Sequence, residues 1–220
     1  MMMERDYRCV ARSPEGLIQQ VVLYVTKGYL WYVAGHIPQG KEPERTDARI
    51  VAKYGIGISK WAKARRKRGG EANLQYLRHG RFFVLMATSG EHVFYREEAQ
   101  VRDIRRVPIK FAGHSLSKRS STVTGSSHAS VRIAPEEYRM VKAYLLEHCA
   151  HWSLERLEVE LYRLPFQPYA PVRRQLLDLL RAVNRKRSAA RKPLASHRCL
   201  YLKRKVVRVF ERPEGSEEAA

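Results

Sequence analysis

Lys60, Lys63, Arg65, Arg66, Lys67 and Arg68 stand in one short run with Trp61 among them and Gly69-Gly70 behind. Ammonium and guanidinium groups at this density suit one kind of chemistry, the charge-assisted binding of phosphate oxygens. At helical spacing Lys60, Lys63 and Lys67 fall near one face while Arg65, Arg66 and Arg68 spread around the cylinder, so the segment can straddle a phosphate backbone. Trp61 is expected to anchor it to a core. The rest of the chain shares the bias: 42 Lys and Arg against 22 Asp and Glu give a formal net charge of +20. A surplus of that size points to a polyanionic partner, DNA or RNA.

Three further basic constellations accompany the block. Tyr76, Arg78, His79, Arg81, Phe82 and Phe83 alternate so that rings and guanidinium groups can share one strand face, which would suit unpaired bases. The near-continuous apolar run Phe82 to Leu85 equally describes a buried strand, and Gly80-Arg81-Phe82-Phe83-Val84 departs from the basic-Gly-aromatic pattern of RNA-recognition sheets. Arg102, Arg105, Arg106 and Lys110, then Lys118 and Arg119, bracket a Ser-rich loop. Arg174, Arg181 and Arg185 recur on the polar face of a C-terminal helix. Three helices followed by a hairpin at Lys203-Arg204-Lys205 would make a winged helix, with those arginines toward a groove. Against it, Pro165 to Pro171 exceeds a helix-turn-helix turn of about three or four residues, and no Gly or Asn marks a tight turn at Lys203.

Catalytic patterns are weaker. The chain has neither a Gly-x4-Gly-Lys-Ser/Thr loop nor a Gly-x-Gly-x-x-Gly fingerprint, so nucleotide-driven and dehydrogenase chemistries lose support. His148, Cys149, His151, His197 and Cys199 are zinc-ligand types at spacings that fit no zinc module. A tyrosine nuclease could use Tyr138 or Tyr144, but His36-Ile37-Pro38, His92-Val93-Phe94 and His114-Ser115-Leu116 each offer one histidine where a pair is needed. A magnesium nuclease would draw on Asp47, Glu71, Glu91, Glu97, Glu98 or Asp103, and no spacing selects a pair. No catalytic residue, metal ligand or cofactor is therefore assigned. A nuclease or strand-transfer enzyme, and a module for an acidic protein or anionic lipid, stand as alternatives to nucleic-acid binding.

Positioning these groups requires a folded scaffold, and an apolar fraction of 44% provides for one. Val21 to Thr26 and Tyr29 to Ala34, rich in Val and Tyr, are expected as β-structure around Lys27-Gly28. Pro43 opens a helix that Gly55 closes, and Ser59 starts the helix of the basic block. Asn73 to Leu77, Arg81 to Ala87 and His92 to Tyr95 follow as an antiparallel meander. Glu97 to Arg106 makes a short helical or irregular crossing, and Ile109 to Ser117 pairs with Ala129 to Ile133 across a mobile loop at Lys118 to His128. Helices then start at Pro135, after Ser153 and at Val172, and Cys199 to Phe210 reads as a basic strand.

The fold class is α+β: an N-terminal antiparallel β-rich part with inserted short helices, then a mainly helical part ending in a basic β-segment. The expected division is 1–134, 135–212, which can share one core with the first, and a disordered acidic tail at 213–220. No apolar run reaches the roughly 20 residues of a membrane span. Three cysteines at wide spacing argue against a disulfide framework and for a cytoplasmic location. Nothing in the pattern specifies an oligomeric state.

Overall fold

The computed structural model describes residues 7–120 and 125–211. They form an α+β fold with two antiparallel sheets, β-rich toward the N-terminus and helical toward the C-terminus. Two compact units share the chain. The first takes residues 7–109 with 117–120, 125–129 and 206–211, and the second takes 110–116 and 130–205.

In the first unit, Ser13 accepts a hydrogen bond from the Gly16 amide at 3.2 Å and Pro14 opens helix α1, Pro14–Thr26. Val21 to Thr26, expected as β-structure, is thus the second half of a helix. Leu17, Ile18, Val21, Tyr24 and Val25 recur at helical intervals and are all buried. A six-residue window rich in Val and Tyr hides that longer period. Strand β1, Trp31–His36, follows, then helices α2, Pro43–Lys53, and α3, Lys60–Arg68. Strands β2, Leu74–His79, and β3, Phe82–Ala87, form a hairpin in which His79 pairs with Phe82 across Gly80-Arg81, with Gly80 at φ 56°. Helix α4 is a single turn, Phe94–Glu97, and β4 is the pair Arg102–Asp103.

The four strands order as β2-β3-β1-β4, with Trp31 opposite Ala87 and His36 opposite Phe82. The place that His92 to Tyr95 was expected to take beside the hairpin is therefore filled by β1. His92 instead accepts the Phe94 amide on its ring Nδ1 at 3.1 Å, and Phe94 enters the core. On one sheet face Leu74, Tyr76, Leu85 and Ala87 pack with Tyr54, Ile56 and Phe94 in a single apolar cluster, joined at its edge by Ile50, Val51 and Phe83. Residues 206–211 join neither sheet. They run beside α1, where Gln19 exchanges two hydrogen bonds with the Val207 backbone at 2.9 and 3.3 Å and the Arg12 amide donates to Val209 at 2.9 Å.

A second sheet orders as β5-β6-β7, from Ile109–Phe111, His114–Ser120 and Ser127–Ile133. The pairing expected across the Ser-rich stretch is present as β6 with β7, but Ile109 to Ser117 is not one strand: it turns at Ala112-Gly113, at φ 45° and 73°, into β5 and β6, and strand reaches further into the loop than composition suggested. Lys118 to Ser120 and Ser127 to His128 belong to β6 and β7, while 121–124 lie outside the described residues. The acidic tail at 213–220 lies outside them too.

The second unit's helices are α5, Pro135–His148, α6, Leu154–Tyr162, and α7, Ala170–Ala189. Leu145, Cys149, Leu157, Leu161, Val172, Leu176, Leu179 and Val183 make its apolar interior. Arg187 is 1% exposed there and donates to the carbonyls of Cys149, Trp152 and Pro193 at 2.6, 2.9 and 2.6 Å. After a 3-10 turn at His197–Cys199, Lys203 to Lys205 are exposed and in no strand, so the expected basic strand and the wing of a winged helix are not formed among the described residues. No helix among them is long and apolar enough to cross a membrane.

Candidate nucleic-acid interface

Ser59 caps α3 by accepting the Ala62 amide at 3.2 Å, and Gly69 and Gly70 end it. The helix runs along the surface with no fully buried residue. Trp61 is 81% exposed, so it does not anchor the helix as expected from sequence. Trp61, Arg65 and Arg68 stand at i, i+4 and i+7 and share one outward face, beside exposed Lys60 and Lys67. The anchoring is done from the other side by Arg66, which donates to the Gly55 carbonyl at 3.2 Å and lies 3.9 Å from the Glu71 carboxylate. The Asn73 side-chain amide adds a bond to the Lys63 carbonyl at 3.0 Å.

The charges of α3 are nearly uncompensated. Among the described residues only Arg66 of this helix has a carboxylate within 4.0 Å. Lys63 is half-buried, and its pKa is lowered by burial first and then by the neighbouring cations Lys27 and Arg66. A like-charge arrangement of this kind costs stability in the free protein and is relieved when an anion arrives. Lys27, at the end of α1, is the residue sequence spacing could not connect to the block, since the fold brings it there.

The remaining arginines divide by what already holds them. Arg78, read from sequence as a surface contact, is 5% exposed. Its guanidinium lies against both Asp47 carboxylate oxygens, 2.8 to 3.0 Å away, and it donates to the Gly80 carbonyl at 2.7 Å and Glu44 at 3.0 Å. Asp47 is 6% exposed and also accepts the Tyr76 hydroxyl at 2.7 Å; burial first and this carboxylate second push the Tyr76 pKa up. Arg78 is therefore a core cation, withdrawn because a buried carboxylate needs a partner more than the surface needs a charge. Arg81 is likewise engaged: its guanidinium donates to the carbonyls of Ile37 at 2.8 Å, Pro38, and Lys41 at 2.9 Å, fastening the loop after β1.

Arg105 forms a bidentate pair with Asp103, 2.7 to 2.9 Å, and sits 5.7 Å over the Trp31 ring. Arg106 is exposed and has no ion pair among the described residues. In the second unit Lys110 pairs with Glu136 at 2.5 Å and Arg181 with Asp178 at 2.7 Å. Arg174 and Arg185 are exposed there without an ion pair among the described residues. The first unit thus gathers Lys60, Lys63, Arg65, Arg66, Lys67 and Arg68 on one helix with Lys27 nearby, while Lys110, Arg174, Arg181 and Arg185 belong to the second.

Carboxylates and histidines do not converge: among the described residues no three His, Cys, Asp or Glu side chains form a group able to hold a metal ion. Burial followed by Asp47 pushes the Cys9 thiol up to about 12, so this cysteine is held as a neutral core group.

No family model, curated protein or solved structure matches the chain.

Proposed function

We propose that the protein binds nucleic acid, DNA or RNA, chiefly through its phosphate backbone, with α3 as the principal contact and no catalysis of its own. One observation carries this: Trp61, Arg65 and Arg68 present an exposed aromatic ring in line with two exposed guanidinium groups that have no counter-ion among the described residues. Phosphates meet the cations, and an indole free on that face can stack on a base or pack on a sugar. Gly90, on the loop beneath the α3 C-terminus, has φ 132°, and a Cβ there would come within 2.6 Å of the Gly70 and Glu71 backbone. The support under the basic helix is therefore close-fitting backbone, which suits a fixed contact surface.

The test is binding of mixed-sequence single- and double-stranded DNA and RNA between 50 and 200 mM salt. Log K should fall linearly with log salt at about 0.7 to 0.9 per phosphate contact. The triple variant R65A/K67A/R68A should lower that slope by about two to three, and W61A should weaken binding with the slope retained. An unchanged slope in the triple variant overturns the assignment of α3. Binding of anionic vesicles or an acidic protein in place of nucleic acid transfers the surface to that partner class. Cleavage of labelled strands with magnesium would instead establish a nuclease.

A further inference from the structure

The first unit holds a cavity of ≈ 280 Å³ between α2 and the sheet. Its floor is apolar and aromatic, from Val33, Ile50, Tyr54, Phe83 and Leu85. Its rim carries the cations Lys41, Arg49 and Lys53, with His36 beside them. Lys53 is paired with Glu97 at 2.9 Å, but Lys41 and Arg49 have no carboxylate within 4.0 Å among the described residues. On the wall, Glu98 accepts the Tyr54 hydroxyl at 2.5 Å, which holds its carboxylate in place. Arg81 bonds three carbonyls of the loop that carries Lys41, so this side of the rim is built in advance.

We propose that this cavity receives one unpaired nucleobase of a bound strand, with the adjoining phosphate on Lys41 and Arg49. The inference rests on the nucleic-acid reading of α3 and adds the substrate class, a strand with unstacked bases. Apolar floor, acceptor on the wall and cations at the mouth match a flat ring that bears N–H donors and is linked to an anion. A lipid chain would offer no donor to Glu98 Oε2, the carboxylate oxygen that Tyr54 does not bond, and a phosphate alone would leave the aromatic floor unused. The volume lies just under the roughly 300 Å³ at which ordinary small-molecule pockets begin, which suits a single base. Carboxylates accept from the exocyclic amine of cytosine, whereas uracil sets an oxygen at that position, so cytosine is favoured over uracil. The position is also right: Tyr54 of the cavity adjoins Gly55, whose carbonyl is held by Arg66 of α3 at 3.2 Å. Chain geometry limits the span from Tyr54 to Lys60 to about 20 Å, so one short strand can reach both.

The experiment compares a single-stranded oligocytidine with the same strand made abasic at every position, by fluorescence anisotropy at fixed salt. Wild type should bind the intact strand roughly tenfold tighter or more. T46F, which projects a ring from the α2 wall into the cavity, should reduce the difference to the share that Trp61 contributes, and T46F/W61A should abolish it, while T46F leaves abasic-strand affinity and salt slope unchanged. R49Q, at an exposed position, serves if T46F fails to fold, and should reduce the difference and weaken CMP binding. CMP titrated into the free protein should shift the NMR signals of Val33, Ile50 and Phe83, with UMP weaker. Equal affinity for intact and abasic strands overturns the pocket and leaves α3 standing. CMP shifts at these residues without salt-dependent strand binding overturn the α3 reading and keep the pocket. Absence of both overturns both.

Discussion

Arginines that look alike in sequence occupy opposite electrostatic settings, and Arg78 and Arg65 mark the extremes. Arg78 neutralises buried Asp47, with Tyr76 bonded to the same carboxylate. Removing it would strand a charge at low dielectric, where the cost is about 3–5 kcal/mol. Arg65 is exposed and has no ion pair among the described residues, so its removal should change stability by no more than about 0.5 kcal/mol. Chemical denaturation of R78A and R65A should therefore separate them widely, while binding should order them the other way once R78A is measured where it is still folded. If R78A proved as stable as R65A, the buried pair would not be the cornerstone its geometry implies.

Elements carry these side chains to their places, and α3 depends on the loop that supports its end. The Glu91 amide donates to the Gly70 carbonyl at 2.9 Å and the Ala72 amide to the Glu91 carbonyl at 3.0 Å, tying the residues after α3 to the turn at Gly90. Gly90→Ala adds a Cβ within 2.6 Å of that backbone at a φ of 132° that side chains rarely adopt. The variant should lose more than about 1 kcal/mol of stability and show faster amide exchange at Glu71 to Asn73 and in α3. Exchange rates unchanged in α3 would mean the helix is held without this loop. Helices α2, α3, α5, α6 and α7 were legible from caps, prolines and apolar spacing, because those signals are local. Helix α1 was not, since Val21, Tyr24 and Val25 favour strand in a short window and reveal helix only with Leu17 and Ile18. The β2-β3 hairpin was readable, but β1 as its neighbour was not, since strand order follows from tertiary packing. The same limit applies to the candidate site. The α3 cations were visible as a run, whereas the exposure of Trp61, the approach of Lys27 and the rim of Lys41 and Arg49 depend on long-range placement.

At the scale of the whole molecule, charge acts on folding and on binding with opposite signs. A net charge of +20 repels itself, and the cluster of Lys27, Lys63 and Arg66 shows that repulsion locally in the lowered Lys63 pKa, to which burial contributes most. Added salt shortens the Debye length from about 30 Å at 0.01 M to about 8 Å at 0.15 M, screening exposed like charges more than the buried Asp47–Arg78 pair. The melting temperature of the free protein should therefore rise over this range. Affinity for nucleic acid should fall over the same range, because counterion release is lost. A charge-preserving change such as Trp61→Ala should leave the salt dependence of melting unaltered, and R65A/K67A/R68A should flatten it along with the binding slope. A melting temperature that fell with salt would mean that favourable surface ion pairs, among them Lys53–Glu97 and Lys110–Glu136, outweigh the repulsion of the excess cations.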